Sequence, residues 1–463
     1  MSVLVFEGFL STPQMLALFD ESAIVQAMMD FEAALARAEA KAGVIPQSAA
    51  QAIASLCRAE LYDVAGLVAA SGRAGSLAIP LVKKLTETVA LFDPAAAGYV
   101  HWGSTSQDVI DTAMVLQTRR ALRLIDDDLL SLCGHLLDQA EAADATPMLA
   151  RTLMQPALVS SLRCKLLNWL MPLLRSAAAL RARADEALLL QLGGAAGTLA
   201  SLGDKADAVA SQVAAELRLR LPEQCWHTQR DRWVRLGAEL GVMCGSLGKL
   251  ARDLSLLAQA EVGEMMEGAV SGSGGSSAMP HKRNPVACMQ ALAAAQRAPQ
   301  RVAALLACMG QEHERGLGGW QAELAEWTGL LLSSHGALQA LAGALAGLRV
   351  EPERMLANIE RLDDLVAAEG LALLLARVCG KARAHQLVEG LSQQVVAQGR
   401  PLRSLAQGLW QGDDEFSRGI SADELDAVFD VQAAARHADA RVHKVLLTAR
   451  SQWQSLMDQP LAP

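Results

Sequence analysis

Ile110, Met114, Ala121, Ile125, Leu129, Leu132, Leu136 and Ala140 recur at helical spacing, interrupted only by Gln117. Such a stripe predicts one unbroken helix of roughly 36 residues, about 54 Å long at 1.5 Å per residue. A helix of that length can bury its apolar face only against other long helices, so the chain is constrained to an elongated bundle. Four more long patterns follow, at about 157–190, 232–267, 286–312 and 319–348, with Pro172 expected to kink the first of these. Ala and Leu carry the apolar load: 52% of residues are hydrophobic but only 4% aromatic. That balance favours closely packed helices over sheets.

Shorter helices flank the bundle. Residues 12–42 read as helix through Ile24, Met28, Phe31, Leu35 and Ala38, stopped by Gly43 and Pro46. Further helices are expected at about 48–58 and 80–92. Beyond Val350 the patterns shorten to 353–362, 366–378, 383–398 and 421–429, the last opened by the capping box Ser421–Glu424. The expected organisation is all-α, with three helical domains: an N-terminal unit at 1–105, the central elongated long-helix bundle at 106–350, and a small C-terminal unit at 351–463.

Charge and composition narrow the partners. Net charge is −9, and no basic face of the size nucleic acid needs is visible. The eight cysteines are scattered without a Cys-x-x-Cys pair. This predicts free thiols in a reducing compartment and neither a zinc site nor a disulfide framework. The N-terminal stretch lacks a basic region and is broken by Glu7, so it makes a poor signal peptide. Residues 328–350 are apolar enough to suggest a membrane span, but Ser333, Ser334, His335 and Gln339 interrupt them, so a buried bundle helix is expected. A cytoplasmic protein with no membrane partner and no cofactor follows as the expectation.

The polar breaks between long helices carry the chemistry. His101-Trp-Gly-Ser-Thr-Ser-Gln-Asp108 leads into the first long helix, where Thr105 or Ser106 can cap free N–H groups that also suit an anion. Arg151-Thr-Leu-Met-Gln155, Gln191–Thr198, Trp226–Arg232 and Gln311–Arg315 stand at other helix ends. Singly each reads as a solvated loop; together they can form one shared site. Between the third and fourth long helices lies Ser-Gly-Ser-Gly-Gly-Ser-Ser-Ala-Met-Pro-His-Lys-Arg-Asn-Pro, residues 271–285. A plain spacer has no use for its rigid, basic end. As a lid, its backbone N–H groups can wrap a carboxylate, with a serine hydroxyl among them and Lys282 facing the same anion.

Gly275-Ser-Ser-Ala-Met-Pro-His-Lys-Arg-Asn-Pro285 resembles the signature of the fumarase/aspartase superfamily. The segments at His101–Asp108 and Arg151–Gln155 resemble its first and second motifs, and the likeness covers nearly the whole chain. Gln191–Thr198, Trp226–Arg232, and Gln311–Arg315 with Gly318-Gly-Trp320 look like the bacterial 3-carboxy-cis,cis-muconate cycloisomerases in particular. The resemblance implies a homotetramer whose active sites are each built by three subunits, acting on a small polycarboxylate without metal. It implies Ser276 as the proton donor, with Ser277 as its rival. Lys282 and Asn284 would hold the substrate or intermediate carboxylate. His101, Thr105, Ser106 and Gln155 are candidate carboxylate binders, with Gln229 and Arg315 beside them.

Two departures bear on the reaction. C–N lyases of the superfamily usually carry a His after Arg-Thr in the second motif and a Glu after Asn-Pro; this chain has Leu153 and, at the apparent match, Met289. Expelling an amine needs a general acid, whereas a carboxylate with a pKa of about 4 departs unaided. The implied activity is therefore the cycloisomerisation of 3-carboxy-cis,cis-muconate to 4-carboxymuconolactone, in the protocatechuate branch of the β-ketoadipate pathway of aromatic degradation. The alternatives are an adenylosuccinate-lyase-like C–N lyase and a non-catalytic structural protein on the same fold.

Overall fold

The computed structural model describes residues 5–268, 274, 275, 279, 281–459 and 461. Its centre is five long helices: Ser106–Ala142, Leu162–Ala187, Asp231–Leu257, Val286–Ala307 and Gly319–Ala346. The third packs against the second, fourth and fifth, and the first against the second and fifth. Every residue of the expected apolar stripe on the first helix is buried. Gln117, the one polar member, is buried too, but its amide donates to the Leu18 carbonyl. Small residues set how closely the helices approach: a Cβ added at Gly248 would lie 2.4 Å from Ala295 Cβ. Trp233 and Trp327 stack between the third and fifth helices with ring centroids 4.0 Å apart.

The Gly319–Ala346 helix is long and apolar enough to cross a membrane, yet 72% of its apolar window is buried inside the protein. Its His335 Nδ1 bonds Thr12 Oγ1 at 2.7 Å, tying it to the N-terminal segment. All eight cysteines are free thiols.

The N-terminal helices, including Glu21–Lys41, Gln47–Leu56 and Ala78–Phe92, share one continuous apolar core with the bundle. A second core joins Leu371 through Phe429. The residues read as a C-terminal unit divide between the two. The last helix, Val431–Asp458, returns to the first and second long helices, where Leu446 and Ala449 enter the main core and Trp453 Nε1 donates to the Leu130 carbonyl at 2.9 Å.

The second long helix starts later than its apolar pattern suggests. Pro147–Thr152 and Gln155–Ser161 form an antiparallel hairpin, and Ser161 then caps the helix by accepting from the Cys164 N–H at 3.2 Å. Leu153 and Met154 form the hairpin tip at φ 50° and 67°. Positive φ at both central residues is the geometry of tight hairpin turns, usually given to Asn and Gly. The third pattern likewise overshoots: its helix ends at Leu257, and Met265–Met266 then pairs with Arg349–Val350. The 12–42 pattern splits into Pro13–Leu18 and Glu21–Lys41, because Asp20 caps a fresh start by accepting from the Ala23 N–H at 2.8 Å.

Candidate functional site

The first long helix opens with Thr105 in an extended conformation and Ser106 as its first helical residue. Asp108, fully buried, organises what surrounds that start. Its carboxylate accepts from the Thr105 N–H at 3.1 Å, the Gly193 and Gly194 N–H groups at 2.9 Å each, and His227 Nε2 at 2.7 Å. One side chain thus joins the His101–Asp108, Gln191–Thr198 and Trp226–Arg232 segments. Only glycine suits position 194: its φ is +68°, and a Cβ there would sit 2.9 Å from the Gly103 carbonyl oxygen.

One turn deeper, Asp111 accepts from Arg230 at 2.8 and 3.2 Å, from Trp320 Nε1 at 2.9 Å, and from Gln107 and Gln191 at 3.2 Å each. Arg230 also donates to both oxygens of Glu323 and lies over the Trp226 ring at 4.4 Å. All three charged residues are buried. Burial raises the Glu323 carboxyl's pKa, and Arg230 only partly offsets it. Burial works against a charged Arg230, but Asp111 and Glu323 more than compensate and push its pKa up.

On this platform stand several of the expected site residues. Arg315 donates to Thr105 Oγ1 and, at 3.2 Å, to Ser106 Oγ. Among the described residues no carboxylate lies within ion-pair distance of Arg315. A guanidinium on two hydroxyls at a helix N-terminus is an arrangement that accepts an anion. His101 belongs to the same end. Its Nδ1 bonds Glu32 Oε1 at 2.6 Å; burial disfavours its charge, but Glu32 and Asp108 raise its pKa overall. Thr228 Oγ1 donates to the His313 carbonyl at 3.1 Å, holding the Gln311–Arg315 segment against the Trp226–Arg232 segment.

None of the other expected residues that the structure describes is hydrogen-bonded to this group. Gln229 is exposed and lines a separate cavity of about 310 Å³ with Cys225, Trp226 and Arg232. Gln155 is exposed beside the hairpin tip, opposite Thr152. Lys282 is exposed, and its N–H donates to the Met279 carbonyl at 3.1 Å. The Asn284 N–H donates to the Gly274 carbonyl at 2.8 Å. Ser276 and Ser277 lie outside the described residues. Leu153 is 97% exposed and Met289 48% exposed.

Sequence reasoning missed Glu267. Its carboxylate accepts from the Cys288 N–H at 2.7 Å and the Ala287 N–H at 3.2 Å. A residue that precedes the 271–285 segment therefore caps the helix just after it. Its place before a Gly-Ser run that ends at a helix start was the available signal. Asp111 and Glu323 were missed as well, because a lone acid inside a helix pattern reads as surface.

Comparison with known proteins places the chain in a family. Residues 9–299 match the protein family described as Lyase. A 3-carboxy-cis,cis-muconate cycloisomerase of Pseudomonas aeruginosa is 47% identical over 442 residues, covering 95% of each chain. The crystal structure of 3-carboxy-cis,cis-muconate lactonizing enzyme from Pseudomonas putida is similar with a TM-score of 0.88 and 42% identity, over 98% of this chain and 99% of that one. The β-carboxy-cis,cis-muconate cycloisomerase from Acinetobacter calcoaceticus sp. ADP1 gives 0.87 and 35%, over 96% and 100%. The chain belongs to the fumarase/aspartase superfamily of lyases. Within that superfamily, it is a member of the 3-carboxy-cis,cis-muconate cycloisomerase family.

The Asp108–His227 contact has a pH consequence. Burial opposes a charged His227, but the Asp108 hydrogen bond and charge and the Cys225 thiol hold its pKa up to about 9, from 6.5. A proton held more tightly in the folded state stabilises it fully below pH 6.5, and that contribution disappears as pH rises through about 9. The pair is worth on the order of 3 kcal/mol by this linkage. Denaturant titrations across this range should show wild-type stability falling as pH rises. Asp108→Asn should be less stable near neutral pH and should lose much of that slope. An unchanged slope in Asp108→Asn would contradict the assignment.

Proposed function

We propose that the protein is a 3-carboxy-cis,cis-muconate cycloisomerase, an intramolecular lyase that forms 4-carboxymuconolactone in the protocatechuate branch of the β-ketoadipate pathway. The observation that carries this is the near-full-length identity to enzymes of that activity. Leu153 and Met289 support it chemically. At the positions where C–N lyases of the superfamily place an acid–base pair, both side chains are apolar. A reaction whose reverse expels a carboxylate needs no such pair, since the leaving group has a pKa of about 4.

In this reading one substrate carboxylate adds to the conjugated double bond and forms the ring C–O bond. Charge builds on the neighbouring carboxylate as an enolate-like dianion. Ser276 delivers a proton to the adjacent carbon, and the carboxylate is restored. Lys282 and the backbone N–H groups around Ser276 stabilise the resulting alkoxide. Lys282 and Asn284 hold the intermediate, while His101, Thr105, Ser106 and Arg315 bind a further carboxylate. Gln155, Gln229 and Ser277 complete the binding set.

Loss of the conjugated diene absorbance tests this directly. Wild type should consume 3-carboxy-cis,cis-muconate and Ser276→Ala should be slower by about a hundredfold or more. Leu153→His should not raise the rate. No turnover by wild type sinks the substrate; full activity of Ser276→Ala sinks the donor. Release of fumarate from a succinyl-amine substrate would instead favour the C–N lyase reading, and absence of both activities a structural role.

The same reading makes the protein a cytoplasmic homotetramer whose sites are shared between subunits. Its support is that Gln155 and Lys282 are exposed and, among the described residues, make no hydrogen bond to the His101–Arg315 group inside one chain. Mixing inactive Ser276→Ala and Arg315→Gln subunits by unfolding and refolding should restore activity to a fraction of wild type. Mixtures as inactive as either parent would show that each chain carries a whole site.

A further inference from the structure

A cavity of about 460 Å³ lies against the first long helix, lined among others by Arg37, Arg119, Arg120, Arg218, Asp30 and Glu216. Arg119 is almost four turns beyond Ser106, about 20 Å along the helix axis, so this space is distinct from the candidate functional site. Its charges do not balance. Glu216 is taken by Arg37. Asp30 accepts from Gln26 at 2.8 Å and faces Arg120 at 3.9 Å. Among the described residues, Arg119 and Arg218 have no carboxylate partner.

Arg119 has a structural task, but that task leaves part of it unused. One of its terminal nitrogens donates to the Leu217 and Arg218 carbonyls at 3.0 and 2.7 Å, satisfying the carbonyl end of the Ala206–Leu217 helix. Its Nε is buried without a hydrogen-bond partner. A buried donor left unmade is costly, and a helix cap alone does not require one. Burial, and then the positive charges of Arg123, Arg120 and Arg218, push its pKa down. Arg218 adds its guanidinium from a left-handed position, φ 53°, at the helix end, where glycine would be the unstrained choice.

We propose that this cavity binds a small multivalent anion, a polycarboxylate or a phosphate compound, between Arg119 and Arg218. Such a ligand supplies the negative charge that the walls lack. A singly charged anion would neutralise only one of the two guanidinium groups.

Isothermal titration of the full-length protein with citrate and, separately, inorganic phosphate tests the site. At least one probe should bind, and Arg119→Gln combined with Arg218→Gln should weaken that binding about tenfold or more. Turnover of 3-carboxy-cis,cis-muconate by the double variant should stay unchanged. Arg315→Gln, altered at the other anion site, should retain the binding. If the double variant fails to fold, Arg218→Glu, which spares the helix-carbonyl contacts, should show the same loss. Binding of citrate alone assigns a carboxylate ligand, and of phosphate alone a phosphate ligand. Equal affinities in wild type and the Arg218→Glu variant, or no binding of either probe to wild type, would overturn the proposal.

Discussion

The start of the first long helix depends on buried charge. Asp111, Arg230 and Glu323 form an acid–base–acid set, and Asp108 with His227 forms a second pair beside it. Charges this deep are expensive to desolvate, and removing one member of such a set costs about 3–5 kcal/mol because the others are left uncompensated. What the arrangement provides is geometric definition. Asp108 and Asp111 together hold the first motif, the Gly-rich segment after the second helix, the third helix start and Trp320 of the fifth. With these donors committed, the Thr105 and Ser106 hydroxyls and Arg315 remain at the surface of the platform, where an anion can reach them.

A second constraint acts on the other half of the proposed chemistry. Glu267, which precedes the 271–285 segment, caps the helix Val286–Ala307 that follows it. The Asn284 N–H to Gly274 carbonyl bond crosses the same segment. A serine proton donor needs placement and anion-stabilising neighbours more than it needs acidity. The hairpin tip is different in kind: Leu153 projects into solvent from a strained turn and brings no acid–base group there. In the proposed reaction the chemical burden falls on carbon protonation and on carboxylate binding.

The long helices were legible because their apolar residues recur over many turns and because Ala and Leu have little alternative to packing. The capped start of the first long helix was legible from His101–Asp108, where hydroxyls and an acid meet a chain break. The hairpin was hidden because its second strand runs straight into a helix of the same apolar character. The Val431–Asp458 helix left little trace: only Ala435, Asp439, Leu446 and Ala449 are buried along its length, too few and too small to mark a stripe. Gln229 reads as a site residue from its motif, yet the turn before Asp231 directs it to a different cavity. Gln155 and Lys282 are both exposed within the chain, and no spacing pattern encodes what an exposed side chain meets.

Carbon protonation coupled to lactone closure is the central claim, and turnover of 3-carboxy-cis,cis-muconate in deuterium oxide, followed by NMR, tests it most directly. The account predicts loss of the diene with a single carbon-bound deuteron in the lactone, next to the carboxylate that carried the charge. A lactone without carbon-bound deuterium, or products in which the carbon chain or a substituent has been lost, would contradict it.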